Sequence, residues 1–214
     1  SYIKQEVIDS LPGYLFGLSH EEDVEQFFDL EPVQLDNNGQ AKISFPELWQ
    51  RLGQKSGKKI QSPVSVQLTS SLFETGGRAV KRQTRLILWP EKTLLAIRPH
   101  SDEPQENSLL KFDIINADYN GQLYPAADLQ LTLIKKRRDY YWSYNESEEW
   151  QMEYSEKQYP VFKQTFSLLE PDKSTIEVPV EWGDYRLEIY NPTTQLTNSI
   201  EFNAGGSWYY NNQQ

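Results

Sequence analysis

Val180-Glu181-Trp182-Gly183-Asp184-Tyr185-Arg186-Leu187-Glu188-Ile189-Tyr190-Asn191 is the stretch that leaves this chain the fewest ways to fold. After the Trp182-Gly183 turn, Tyr185, Leu187 and Ile189 recur at period two, and Asp184, Arg186 and Glu188 fill the alternate positions. That is the pattern of a strand with one face in a core and the other in water. We read it as the central strand of an antiparallel β-sandwich. A Tyr just past a Gly-containing corner is where sandwiches place a tyrosine whose hydroxyl bonds back to the backbone across the corner. An ordinary aromatic core position fits the same spacing, and neither reading makes Tyr185 a functional residue.

A chain of 214 residues is long for one small sandwich and sufficient for two domains of about 100 residues each. Hydrophobic residues make up only 37% and aromatics 13%, which suits thin, ring-built cores better than a Leu-rich helical interior, so an all-β fold is expected. The net charge of −10 argues against nucleic acid or an anionic membrane as partner, since both require a positive field. The absence of cysteine removes disulfides, thiolate nucleophiles and thiolate metal ligands. There is no run of about 18 apolar residues, and Ser1-Tyr2-Ile3-Lys4 opens nothing resembling a signal peptide.

Along the chain, Ser1 to Asp9 reads as a tail, and Gly13-Tyr14-Leu15-Phe16-Gly17-Leu18 as a first strand between glycines. His20 to Gln26 reads as a solvated acidic loop or one helical turn. Asp36-Asn37-Asn38-Gly39 is a turn signal, because Asn and Gly tolerate positive φ and Asp closes an Asx turn. Ala41 to Phe45 alternates as a strand, and Phe45 to Leu52 fits a short helix with Pro46 at its first position, or an irregular edge. Gly53-Gln54-Lys55-Ser56-Gly57-Lys58-Lys59 lacks the spacing and the Ser or Thr of a phosphate loop and reads as a basic loop. Val64 to Leu72 and Val80 to Leu88 make a hairpin turning at Glu74 to Arg78. Trp89-Pro90-Glu91-Lys92-Thr93 is the expected joint between a first domain, 1–91, and a second, 92–214.

In the second half, Leu94 to Ile97, Leu110 to Ile114, the alternating Leu129, Leu131 and Leu133, Thr175 to Val180 and Ser199 to Phe202 all read as strands. Asp118-Tyr119-Asn120-Gly121-Gln122 repeats the Asp-x-Asn-Gly-Gln pattern of Asp36 to Gln40. Both copies lack the later glycine and the bidentate Glu of a calcium loop, so they are expected as turns.

The candidate interface is Tyr140-Tyr141-Trp142-Ser143-Tyr144, followed by Trp150 and Tyr154 and preceded by Lys135-Lys136-Arg137-Arg138. Consecutive rings on a strand must point to both faces, so part of this set leaves its own core. Three uses fit: packing in a long hairpin with Asn145 to Glu149 at its tip, contact with a neighbouring domain or partner through Trp, Tyr and Arg anchors, or a platform on which pyranose rings stack. Catalytic, metal and cofactor sites are not expected. His20 and His100 sit in polar loops near Glu21 and Asp102, Gly17-Leu18-Ser19-His20-Glu21 lacks the second glycine of a nucleophile elbow, and Glu148, Glu149 and Glu153 belong to an acidic hairpin tip.

Phe73-Glu74-Thr75-Gly76-Gly77-Arg78-Ala79-Val80, the Tyr140-Tyr141-Trp142 run with Trp150, Val180 to Leu187 and Phe202-Asn203-Ala204-Gly205, in that order, resemble bacterial α2-macroglobulins. The similarity is to two consecutive macroglobulin-like domains, the fifth and sixth, ahead of the bait-region domain. The resemblance implies two seven-stranded antiparallel sandwiches, non-catalytic, within a larger periplasmic, lipid-anchored lipoprotein that inhibits endopeptidases by trapping them after bait cleavage. The partners it implies are neighbouring domains of the parent chain and target proteases, with no nucleic acid, and membrane contact only through an anchor outside this stretch. Many members bond the protease through a Cys-x-x-Gln thioester. This chain has no Cys, so no trapping residue carries over to any position. The rival reading is a carbohydrate-binding module using Tyr140, Trp142 and Trp150.

Overall fold

A computed structural model describes residues 2–3, 5–22, 27, 29–41, 59–73, 77, 79–101, 103–144 and 150–205, and each element among them is a β-strand. The strands are β1 (Tyr2–Ile3), β2 (Glu6–Ile8), β3 (Leu11–Phe16), β4 (Val64–Leu72), β5 (Val80–Leu88), β6 (Leu94–Pro99), β7 (Ser108–Ala117), β8 (Ala126–Tyr144), β9 (Trp150–Leu168), β10 (Ser174–Val180), β11 (Gly183–Asn191) and β12 (Leu196–Ala204). Their pairings are antiparallel throughout, as the alternating sequence leads one to expect.

The chain forms two compact units. One is Ser1–Lys4 with Glu21–Pro90; the other is Gln5–His20 with Glu91–Gln214. Gln5–His20 thus belongs with the second unit, separated in sequence from the rest of it by Glu21–Pro90. Nor are the first nine residues a loose tail, since Tyr2 and Ile3 pair with Ser65 and Val64, and β2 pairs with β3. The polar composition of this segment hid its strands, because β2 is an edge strand whose Val7 faces outward.

In the first unit β1, β4 and β5 form one sheet, with β4 and β5 in register from Val64↔Leu88 to Leu72↔Val80. The Glu21 carboxylate accepts the amides of Gln61 and Ser62 at 2.8 and 2.7 Å, so part of the acidic stretch serves the fold. The Asp36 turn forms as expected: its Oδ1 accepts the amides of Asn38 and Gln40, both at 2.8 Å, with Gly39 at φ +73°. The expected strand over 42–45, the helix over 45–52 and the basic loop up to Lys58 lie outside the described residues, as do most of the hairpin turn over 74–78 and residues 145–149.

In the second unit the sheets β10-β7-β6-β3-β2 and β12-β11-β8-β9 share one core. Leu95, Ile97, Phe112, Ile114 and Ile176 meet Leu129, Leu131, Leu133, Leu187, Ile189 and Phe202 across it, the interdigitation of a sandwich. Both readings of Tyr185 hold: its hydroxyl accepts the Glu181 amide at 3.1 Å across the corner, and its ring, 2% exposed, stacks on Phe202 at 5.6 Å. Arg186, expected in water, is 7% exposed. Its Nε reaches Glu188 at 2.7 Å and its Nη2 donates to Gln158 at 2.8 Å, while Lys136 Nζ lies 2.7 Å from Glu201.

The N-terminal segment also reaches β12. Ser199, fully buried, donates its amide to Gly17 O at 3.2 Å and accepts from Gln5 Nε2 at its carbonyl and from the Ser19 amide at its hydroxyl. Asn198 Nδ2 bridges Leu15 O and Leu95 O at 3.0 and 2.6 Å, tying β12 to both β3 and β6.

Candidate interface: the aromatic ribbon

β8 and β9 are each 19 residues long, far more than the sandwich uses. β11 pairs with β8 only from Gln130 to Lys136, whereas β8 and β9 remain paired out to Tyr144↔Trp150. Beyond Lys136 the two strands therefore run on as a two-stranded ribbon, 137–144 against 150–157, about 25 Å long at the usual strand rise.

Register sorts its side chains. Directly opposed residues share a face, so Tyr140↔Tyr154, Trp142↔Met152 and Tyr144↔Trp150 form one face, with Arg138↔Glu156 at its root. Tyr140 and Tyr154 lie 5.9 Å apart, Tyr144 and Trp150 5.3 Å, and the Arg138 guanidinium sits 5.2 Å over the Tyr154 ring. Trp142 and Trp150 are 64% and 66% exposed. The opposite face is polar: Tyr141 and Ser143 donate to the two oxygens of Glu153, and Asp139 pairs with Lys157 at 2.8 Å and Arg137 at 2.9 Å. These two cations hold the Asp139 carboxyl below its ordinary range, through the hydrogen bond from Lys157 first.

Five of the six candidate residues, Tyr140, Trp142, Tyr144, Trp150 and Tyr154, thus share one surface, and Tyr141 points the other way. Met152 joins the ring face and was missed, since its place depends on the register between strands. Glu153, read with Glu148 and Glu149 as part of an acidic hairpin tip, is engaged on the polar face by Tyr141 and Ser143; Glu148 and Glu149 lie outside the described residues.

The residue matches settle the family. Residues 2–90 match the bacterial alpha-2-macroglobulin MG5 domain, and residues 96–208 match bacterial macroglobulin domain 6. The chain belongs to the bacterial alpha-2-macroglobulins. It is 33% identical to the alpha-2-macroglobulin of Escherichia coli K12 over 223 aligned residues, covering 97% of this chain and 13% of that protein. It is 30% identical to that of Xylella fastidiosa 9a5c, covering 96% and 12%. Among solved structures it resembles Salmonella alpha-2-macroglobulin reacted with methylamine (TM-score 0.71, 33% identity, 97% of this chain and 14% of that one). It also resembles E. coli alpha-2-macroglobulin activated by porcine elastase (0.66, 32%, 100% and 18%).

The ribbon lies inside the stretch that matches domain 6, whereas Gln5–His20, inside the domain 5 match, builds strands in the unit that carries the domain 6 match. His20 and His100 lie outside the strands and are exposed, yet each reaches a partner in the fold. His100 Nε2 lies 2.6 Å from Asp113 Oδ1, and His20 Nδ1 lies 3.5 Å from the Ser199 hydroxyl, which Ser19 already engages at 2.8 Å. Asp113 has no exposed surface and accepts from Thr175 at 2.6 Å, Arg98 at 2.7 Å, His100 at 2.6 Å and Lys173 at 3.1 Å. Burial alone would raise its carboxyl, but those four partners outweigh it and hold it well below the usual carboxylate range. Among the described residues no three His, Cys, Asp or Glu side chains group as metal ligands. The Asp36 and Asp118 Oδ1 atoms each accept two backbone amides of their own turn.

Proposed function

We propose that this chain is non-catalytic framework in a bacterial alpha-2-macroglobulin that inhibits proteases by trapping them, in the periplasm, with the parent protein held at the inner membrane by a lipid anchor outside these residues. The observation that carries the reading is that two consecutive family domains, in order, account for nearly the whole chain. A relative caught in an elastase-activated form supports proteases as the targets of the parent. The side-chain chemistry fits a scaffold, because the buried carboxylate of Asp113 and the guanidinium of Arg186 are spent on holding strands together. The glycan reading is weakened because Glu153 faces away from the ring stripe and Glu156, at its root, is paired with Arg138.

The test uses the full-length parent, challenged with elastase and assayed for residual cleavage of a large protein substrate. Glu153→Gln and His20→Gln should leave inhibition unchanged, whereas Phe112→Ala, which empties a core position, should lower inhibition only as far as it lowers the folded fraction. Loss of inhibition by Glu153→Gln or His20→Gln in a fully folded protein would overturn the framework reading.

A further inference from the structure

The ring face of the ribbon is too large and too regular to be left in water. Tyr140, Trp142, Tyr144, Trp150, Met152 and Tyr154 are each between 55% and 66% exposed. At about 150–250 Å² per large side chain, they leave on the order of 700 Å² of mostly apolar surface. That exceeds the patch of about 300–600 Å² typical of a free monomer. It approaches the roughly 800 Å² that one partner contributes to a stable interface. The alternation points the same way: rings and a thioether fill one face, and Asp139, Tyr141, Ser143, Glu153 and Lys157 the other. A ribbon bathed on both sides has no need of such a pattern, and a two-stranded ribbon with nothing packed on it is marginal by itself.

We infer that this face is covered by an uncharged, apolar surface belonging to another domain of the same polypeptide. Charge complementarity sets the chemistry. At the root of the face Arg138 and Glu156 approach to 3.7 Å and largely neutralise each other, with Arg138 further occupied over the Tyr154 ring, so the face offers no net charge for a charged partner to match. Chain length sets the source. The relatives carry far more chain than this, with these residues covering 13% of the E. coli protein, and a domain on the same polypeptide meets the face intramolecularly, whatever the protein concentration. The inference rests on the framework reading and names the contact by which the framework joins the rest of its protein.

Hydroxyl-radical labelling with peptide-level mass spectrometry tests it, on the full-length parent and on the 214-residue chain side by side. Met152, Trp142 and Trp150 oxidise readily when wet. They should label several-fold more slowly in the parent, at every protein concentration, while Tyr141 on the opposite face labels equally in both. Equal labelling of the ring face in the two samples overturns the inference. So does protection that appears only as concentration rises, which means a second copy, or only when cell-wall oligosaccharide is added, which means a glycan. The protease challenge above reports separately: intact inhibition with an unprotected ring face sinks this contact alone, whereas a protected face in a parent that does not inhibit sinks the trapping function alone.

Discussion

Asp113 gathers four side-chain donors onto one buried carboxylate. Its carboxyl is held below its unfolded value, so it contributes stability that is fully present above about pH 4 and is lost as acid protonates it. Asp113→Asn should cost about 2 kcal/mol at neutral pH. Denaturant titrations at stepped pH should show that deficit shrinking below about pH 4; a constant gap between the two proteins would mean that the charge is not what matters. The two Asp-x-Asn-Gly-Gln turns give a second residue-scale test. Gly39 and Gly121 both have positive φ, but a Cβ at Gly39 would meet open space, whereas one at Gly121 would lie 2.3 Å from Ser10 Oγ and 3.5 Å from Leu11 Cγ. Gly39→Ala should cost about 1 kcal/mol, and Gly121→Ala clearly more by thermal denaturation; equal losses would show that Ser10 gives way freely. The turns were legible because Asp, Asn and Gly carry their conformation locally. Asp113 was not, since Lys111 and Asp113 look like the wet face of a strand and the donors Arg98, His100, Lys173 and Thr175 come from elsewhere in the chain.

Among elements, the long hairpin of β8 and β9 shows how a strand that outruns its sheet must stabilise itself. The register keeps Tyr144 against Trp150 and Tyr140 against Tyr154, and the Leu133↔Phe162, Ile134↔Pro160 shift leaves Val161 unpaired on the edge strand, where Pro160 and the bulge blunt further pairing. A double-mutant cycle on Tyr144→Ala and Trp150→Ala should give a coupling of about 0.5 to 1 kcal/mol. Additive effects would mean that the rings merely lie near one another. The strands themselves were readable from period-two alternation, and the aromatic run marked the ribbon. What the sequence could not say was which rings share a face, because Met152 and Trp150 join Trp142 and Tyr144 only through cross-strand register. β2 and β3 illustrate the same limit: Tyr14 and Phe16 read as a strand, but nothing local announced that their partner is β6, some 80 residues on.

At the scale of the whole molecule, chain order and fold do not coincide. The polypeptide contributes Tyr2–Ile3 to one sheet, crosses to give β2 and β3 to the second unit, returns for Glu21–Pro90, and crosses again after Pro90. A proline stands at the crossing after Pro90, whereas Lys4 and His20 carry no such mark at the earlier ones. The second sandwich is therefore built from two separated pieces, with Phe16 and Tyr14 buried in it and Gly17, Ser19 and Gln5 satisfying Ser199. A framework made this way has its integrity set by residues far from its main stretch of sequence, and one measurement decides whether it is. Chemical denaturation of residues 91–214 should show no cooperative transition when they stand alone, and a synthetic peptide of residues 5–20, added in trans, should bind saturably and restore one. A cooperative transition at the same midpoint with and without the peptide would contradict the two-piece assembly.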